Sequence, residues 1–312
     1  MEAEAAPRWS PGTRRWRRAL ENRRVLAPLL IAPAIVYIVL VVGVPFGWAI
    51  YLSLTDAIGG SLTGSWVGFD NFTGAWEDPN FRRALRNTLI FTFASQALVL
   101  VGAAIISHYL AREFRGKWLI RLLIILPWAA PVALGTLGWL WIFDSLFSVI
   151  NWTLGHVFGV VDTADPPQWL GRPNLALLAV IIVHAWRILP FAVIIFLAGL
   201  ASIPSEVDDA AKIDGATGFK KLLYVTLPLQ LPIALVALLF GIVFTAADFA
   251  VVYVLTQGGP FNSTQMLTTW SFAIGINSGS LGEGAAISLY LFPLLAAVSV
   301  AMLFFAKRAQ VS

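Results

Sequence analysis

The sequence predicts an all-α membrane protein with six crossings, both termini on the cytoplasmic side, and a short helical segment at the inner face between the fourth and fifth crossings. Three observations predict it. Hydrophobic residues make up 58% of the 312 positions and charged residues 12%, against about 45–50% and about 25% in a soluble globular domain. A water-soluble fold would have nowhere to bury that surface, and the mean hydropathy of +0.79 agrees. The apolar residues also gather into runs of the length a bilayer requires, and the basic residues fall on one side of those runs.

A bilayer core of roughly 30 Å takes about 20 apolar residues in a helix. Residues 25–55, 87–111, 122–143 and 284–306 carry no charge, and each run is long enough to cross. Residues 174–202 are interrupted only by Arg187 and residues 231–255 only by Asp248. Together these make one transmembrane domain over 25–308, between a basic segment, 1–24, and a short tail, 309–312. The first run is about twice as long as the roughly 7–15-residue core of a secretory signal, so it reads as a span.

Orientation follows from Lys and Arg. Seven lie in the first 24 residues, four in the second connection (Arg112, Arg115, Lys117, Arg121), three in the fourth (Lys212, Lys220, Lys221) and two in the tail. The opposite loops hold only Arg82, Arg83, Arg86 and Arg172. The positive-inside rule places both ends and the even connections in the cytoplasm. Topology accounts for the net charge of +4 without nucleic acid. Prolines at 28, 33, 45, 127, 131, 190, 232 and 293 fall inside the runs. Neighbouring helices can satisfy the carbonyls they free, so kinked, movable spans are compatible with them.

No cysteine is present, which excludes disulfides and thiolate metal sites. His108, His156 and His184 are too far apart in sequence to form a local ligand pair. No G-x-x-x-x-G-K-[ST] segment occurs, so the chain should not hold ATP on a Walker-A loop. No cluster of histidines or carboxylates suggests a membrane enzyme.

The fourth connection, 203–228, is too polar to span and too patterned to be a linker. Pro204 suits a helix start, and Glu206, Asp208 and Asp209 crowd a first turn, where the helix dipole favours anions. A helix from Pro204 to about Ile213 should end at the turn-forming Asp214-Gly215. Thr217 can cap a second helix with Phe219, Leu222 and Leu223 on one face, stopping near Pro228. Two helices around a tight turn form a rigid knob, the kind of contact that transmits force.

Here the residues resemble a known family. Ile203, Pro204, Glu206, Ala210, Ala211, Ile213 to Ala216 and Thr226 to Pro228 are similar to the EAA loop of binding-protein-dependent ABC importer permeases, whose pattern is close to IPxExxEAAxxDGA…TLP. Asp209 stands where the family has Glu, a carboxylate one methylene shorter. Gly68 to Phe72, Asn87, Thr88, Leu126 to Trp128, Pro131, Trp139, Phe143, Asn151, Trp186, Pro190, Phe191, Ala198 to Leu200, Tyr253 to Pro260 with Ser263 and Thr264, and Gly284 to Ser288 resemble the branch that takes up maltose, lactose and glycerol phosphate. Phe249-Ala250 replaces the family's Phe-Asp pair. Asp248 is no substitute, because two residues turn it about 200° around a helix.

The resemblance implies a non-catalytic permease subunit that binds no cofactor of its own. It pairs with a second related permease and with two ATPase subunits that hold ATP and Mg. An extracytoplasmic sugar-binding protein delivers ligand, and lipid surrounds the spans. Glu206, Asp209, Ala210, Ala211, Asp214, Gly215 and Ala216 would couple to the ATPase. Polar residues inside spans are costly enough to be pathway candidates, which selects Gln96, Arg187, Asp248 and Asn277. Trp139, Trp186 and Tyr253 could supply aromatic platforms for a sugar. Arg187 and Asp248 could equally form a structural pair between spans four and five. An ion-coupled transporter or a channel is the alternative reading, and either would leave the polar knob unexplained.

Overall fold

The computed structural model describes residues 23–61 and 63–311. Most of the basic segment 1–24 and the end of the tail 309–312 therefore lie outside the described residues. The chain divides into two compact units, residues 1–51 and 52–312.

In the first unit a helix, Arg23–Ile38, passes through a π-turn, Val39–Gly43, into a second helix, Val44–Ser53, which crosses the unit boundary. Leu26–Ser53 is long and apolar enough to cross a membrane. Its side chains are exposed around the helix, for example Leu30 at 69% and Tyr37 at 65%. A lipid solvent accepts such a surface, whereas water would penalise it.

In the second unit the spans with membrane-crossing length are Pro79–Ala111, Pro173–Ala201, Leu222–Ala246 and Leu281–Met302. The second span begins eight residues before the charge-free run. Asp78 accepts from the backbone N–H groups of Asn80 (2.9 Å) and Phe81 (3.3 Å), and Pro79 occupies the first turn, so the helix starts there. Arg82, Arg83 and Arg86 point outward and do not interrupt it. This span packs along Pro173–Ala201, which in turn contacts Leu227–Ala246 and the shorter helix Lys117–Ala129. Phe91, Val180, Val183, Val251 and Met266 form one buried cluster. Val99, Ala103, Ile188, Val193, Phe196 and Ala237 form another.

Two expectations are corrected, and one run is bent more sharply than its composition discloses. The run 122–143 is no straight span: Lys117–Ala129 and Val132–Ile142 meet at 100°. Ala130 is extended (φ −69°, ψ 142°) because a residue before proline is driven out of the helical region, and Pro131 follows it. Five helices, or six if this bent pair is one crossing, have the required length among the described residues. The fifth run, 231–255, breaks after Ala246, and a separate helix resumes at Ala250. The second hairpin helix does not stop near Pro228. Gly218–Lys221 passes through a π-turn, Leu222–Thr226, straight into Leu227–Ala246. The widened turn lets the helix accommodate a proline that has no N–H and crowds the carbonyl four residues back.

Candidate functional site

Two places concentrate polar chemistry. The first lies within the bundle, where the second, fourth and fifth spans meet. Thr245 is its hub. The hydroxyl donates to the Gly241 carbonyl (2.7 Å) and accepts from Gln96 Nε2 (2.6 Å). His184 Nε2 stands 2.9 Å away. One hydroxyl has a single donor and two acceptor positions, so His184 must donate here. Nδ1 then faces Asp248 Oδ2 at 3.5 Å. That approach is attractive only when the ring carries both protons. Arg187 Nη2 lies 3.5 Å from the same carboxylate oxygen.

Each position has a local cause. His184 and Arg187 are three residues apart on one helix and share a face, whereas Thr245 lies in the last turn of its helix and Asp248 just beyond the helix end at Ala246. Asp248 sits at the break in the fifth span. Its Oδ1 accepts from Val251 N–H (3.0 Å) and caps the following helix, and its carbonyl accepts from Thr268 (2.8 Å). A Cβ at Gly241 would overlap the Gln96 amide, so a larger residue there would displace that side chain. His184 is fully buried and packs edge-on against Phe91 at 4.8 Å. Gln96 Oε1 and Arg187 Nε are buried without hydrogen-bond partners.

Of the candidates named from sequence, this cluster unites Gln96, Arg187 and Asp248. Trp139 and Trp186 meet edge-to-face at 5.5 Å, and Trp186 also lies over Gly135. Tyr253 stacks on Phe249 at 4.8 Å and meets Phe272 at 5.3 Å. Asn277 is exposed at the end of a π-turn, apart from the cluster. Sequence reasoning missed His184 and Thr245. The one local signal was the three-residue spacing of His184 to Arg187 on a single helix. At one end of the bundle, Asn87 holds the loop after Thr256 by donating to the carbonyls of Ser263 (2.8 Å) and Gln265 (3.1 Å).

The second place is the hairpin. Ser205–Ile213 forms the first helix. It ends in a Schellman motif: Gly215 N–H donates to the Lys212 carbonyl (3.1 Å) and Ala216 N–H to that of Ala211 (2.8 Å). Gly215 has φ +73°, a conformation L side chains resist, although the space around it is open. Glu206, Asp209, Ala210, Asp214 and Gly215 are exposed, Ala216 is half-buried and Ala211 is buried. Ile213 is 87% exposed. Asp209 accepts from Lys212 Nζ at 2.8 Å, and that bond, then the charges of Lys212 and Lys221, hold its carboxyl below the usual value of 3.8. Among the described residues no group of three His, Asp or Glu side chains could hold a metal ion.

Residues 99–311 match the family described as binding-protein-dependent transport system inner membrane component. The chain is 30% identical over 296 residues to the sulfoquinovosyl glycerol transport system permease protein SmoG of Agrobacterium fabrum, covering 93% of each chain. It is 29% identical to the trehalose/maltose transport system permease protein MalF of Thermococcus litoralis, covering 89% of this chain and 92% of the relative. A chain in the crystal structure of a bacterial ABC transporter that imports alginate shares the fold, with a TM-score of 0.77 at 18% identity over 95% of this chain and 99% of that one.

Proposed function

The chain belongs to the family of binding-protein-dependent transport inner membrane components, and from that premise we propose that it forms half of an ATP-driven import path for a sugar or sugar derivative. A second, related permease completes the path, an extracytoplasmic binding protein delivers the ligand, and two ATPase subunits supply energy. Both termini and the 203–228 hairpin face the cytoplasm. Glu206, Asp209, Ala210, Ala211, Asp214, Gly215 and Ala216 form the contact with the ATPase, which holds ATP and Mg. This chain is the conduit and is not itself catalytic.

The observation that carries the reading is the hairpin. It is rigid, since its turn is closed by two backbone hydrogen bonds, and it continues into the fifth span without a break between Gly218 and Ala246. A push on the knob therefore moves a span, where a flexible loop would dissipate it. Glu206 suits a first turn and Asp209 meets Lys212, but the apolar Ile213, left 87% exposed, has no folding reason to be there, and contact with a partner explains it better. Relatives named as permeases for sugars and sugar derivatives support the ligand class.

Within the bundle, Gln96, Arg187, Asp248, Trp139, Trp186 and Tyr253 border the path, with Asn277 near its end. Arg187→Ala or Asp248→Ala should then change transport while the complex still assembles. Loss of the assembled complex would make Arg187 and Asp248 a structural pair instead. The test of the whole reading is ATP hydrolysis by the reconstituted complex with its binding protein, across a panel of sugars. Stimulation by one sugar class is expected; uptake that proceeds with no ATPase attached would overturn it in favour of ion coupling.

A further inference from the structure

We propose that the recess at the end of the bundle away from the hairpin is a subsite for an acidic sugar, with the sugar's carboxylate or phosphoryl group on Arg83 and Arg86 and its ring against Phe261. The proposal rests on the permease reading and narrows its substrate to sugars that carry negative charge. The cavity, about 390 Å³, lies between the start of the second span, the start of the fourth and the loop after Thr256. Arg83, Arg86 and Asn87 are three and four residues apart on one helix, so they share a face. They line the cavity together with Asn174 of the fourth span and Phe261 and Ser263 of the loop.

Two guanidinium groups line this cavity and, among the described residues, no carboxylate does. Of the acidic residues at this end, Asp78 caps the second span through Asn80 and Phe81, Glu77 ends the preceding helix outside the lining, and Asp165 lies 4.0 Å from Arg172. Arg83 gives one donor to the Phe261 carbonyl (2.9 Å). Arg86 makes neither a hydrogen bond nor an ion pair among the described residues. The Ser263 hydroxyl is buried without a hydrogen-bond partner. A guanidinium carries five donors in a planar fork that matches a carboxylate or phosphoryl group. The loop is held in a costly shape: Phe261 and Asn262 are left-handed, with φ +52° and +59°, pinned by Arg83 and by Asn87, which donates to the carbonyls of Ser263 and Gln265. Such a backbone persists only where its surroundings enforce it. It leaves the Phe261 ring 85% exposed at the rim, an apolar face suited to the C–H face of a pyranose. A neutral sugar would leave the guanidiniums to water. An inorganic anion, or an acidic side chain of the binding protein, would leave the ring bare. An acidic sugar uses both.

The test uses the full chain with its co-expressed partners in phosphatidylcholine nanodiscs, without nucleotide, titrated with glucuronate and with glucose as its neutral counterpart, binding being read by saturation-transfer NMR. Glucuronate should bind about tenfold more tightly than glucose. Arg86→Gln should weaken glucuronate by about tenfold and leave glucose unchanged. Phe261→Ala should weaken both sugars at an unchanged melting temperature, which keeps the test decisive if the arginine variant does not assemble. Equal binding of the two sugars, wild-type glucuronate binding in both variants, or inorganic sulfate bound as tightly as glucuronate would overturn the proposal. So would loss of glucuronate binding on adding phosphatidylglycerol, which assigns the arginines to a lipid headgroup, or on docking the ligand-free binding protein, which assigns them to its carboxylates. ATP hydrolysis by the same complex with its binding protein separates the two failures: stimulation by neutral sugars but not by glucuronate sinks the subsite alone, whereas no stimulation by any sugar sinks the permease reading and the subsite with it.

Discussion

The buried cluster around Thr245 and the exposed hairpin around Gly215 are both polar, but different physics holds each in place. In the cluster, burial dictates the partner: Asp248 has a side chain only 4% exposed and lies against Arg187 because an isolated charge there would be intolerable. In the hairpin, water could satisfy nearly every group. Asp209 and Lys212 pair at 69% and 59% side-chain exposure, where such a bond stabilises little. Burial thus sets where the polar residues of the bundle stand, whether or not they also border the path, while those of the hairpin are left open to a partner. Mutations at the two places should therefore fail differently.

The largest effect should come from breaking the buried pair. Asp248→Ala leaves Arg187 without its carboxylate and should cost about 3–5 kcal/mol, read as a lower melting temperature in detergent. Removing both charges in Arg187→Met with Asp248→Leu should recover most of that loss. Equal damage from the single and double changes would show that the pair is not what couples these residues. A smaller effect is expected at the turn. Gly215→Val must leave the left-handed region or strain it, at about 1–2 kcal/mol, which corresponds to roughly a tenfold weaker docked population. Coupled uptake should fall while the melting temperature of the isolated permease barely moves.

Asp214→Lys sharpens the contrast further. Reversing the charge of an exposed residue should leave membrane insertion intact and reduce co-purification of the ATPase. Unchanged uptake and ATP turnover in both Asp214→Lys and Gly215→Val would count against the coupling role. The smallest effect concerns acid. Asp209 has its carboxyl depressed by Lys212, so the bond contributes above the unfolded value of 3.8 and is lost as pH falls through the lower folded value. Asp209→Asn should slightly weaken hairpin protection in hydrogen exchange at neutral pH and remove its loss on the acid side.

How far each region was legible follows from how it is assembled. The hairpin is contiguous, so Asp214-Gly215 disclosed its turn and Pro204 its start to within one residue. Its far end was misread, because a proline at 228 stops a regular helix but not one relieved by a π-turn at 222–226. The long spans were legible as charge-free runs. The 100° bend at Ala130 and the break at Asp248 were not, since hydropathy counts apolar residues and ignores what a proline or a capping aspartate does to the backbone. The second span was read short, because Arg82, Arg83 and Arg86 look like a boundary until Asp78 is seen capping the helix ahead of them. His184 and Thr245 stayed hidden because their partners lie on other helices, Gln96 being 149 residues from Thr245.

The chain has no native cysteine, which allows the central claim to be tested with one introduced thiol. Ala210→Cys places it on the exposed face of the first hairpin helix. In the assembled complex it should cross-link to an ATPase subunit, and in intact cells it should be shielded from a membrane-impermeant thiol reagent. Labelling from outside the cell, or no cross-link in a complex that still transports, would contradict the account.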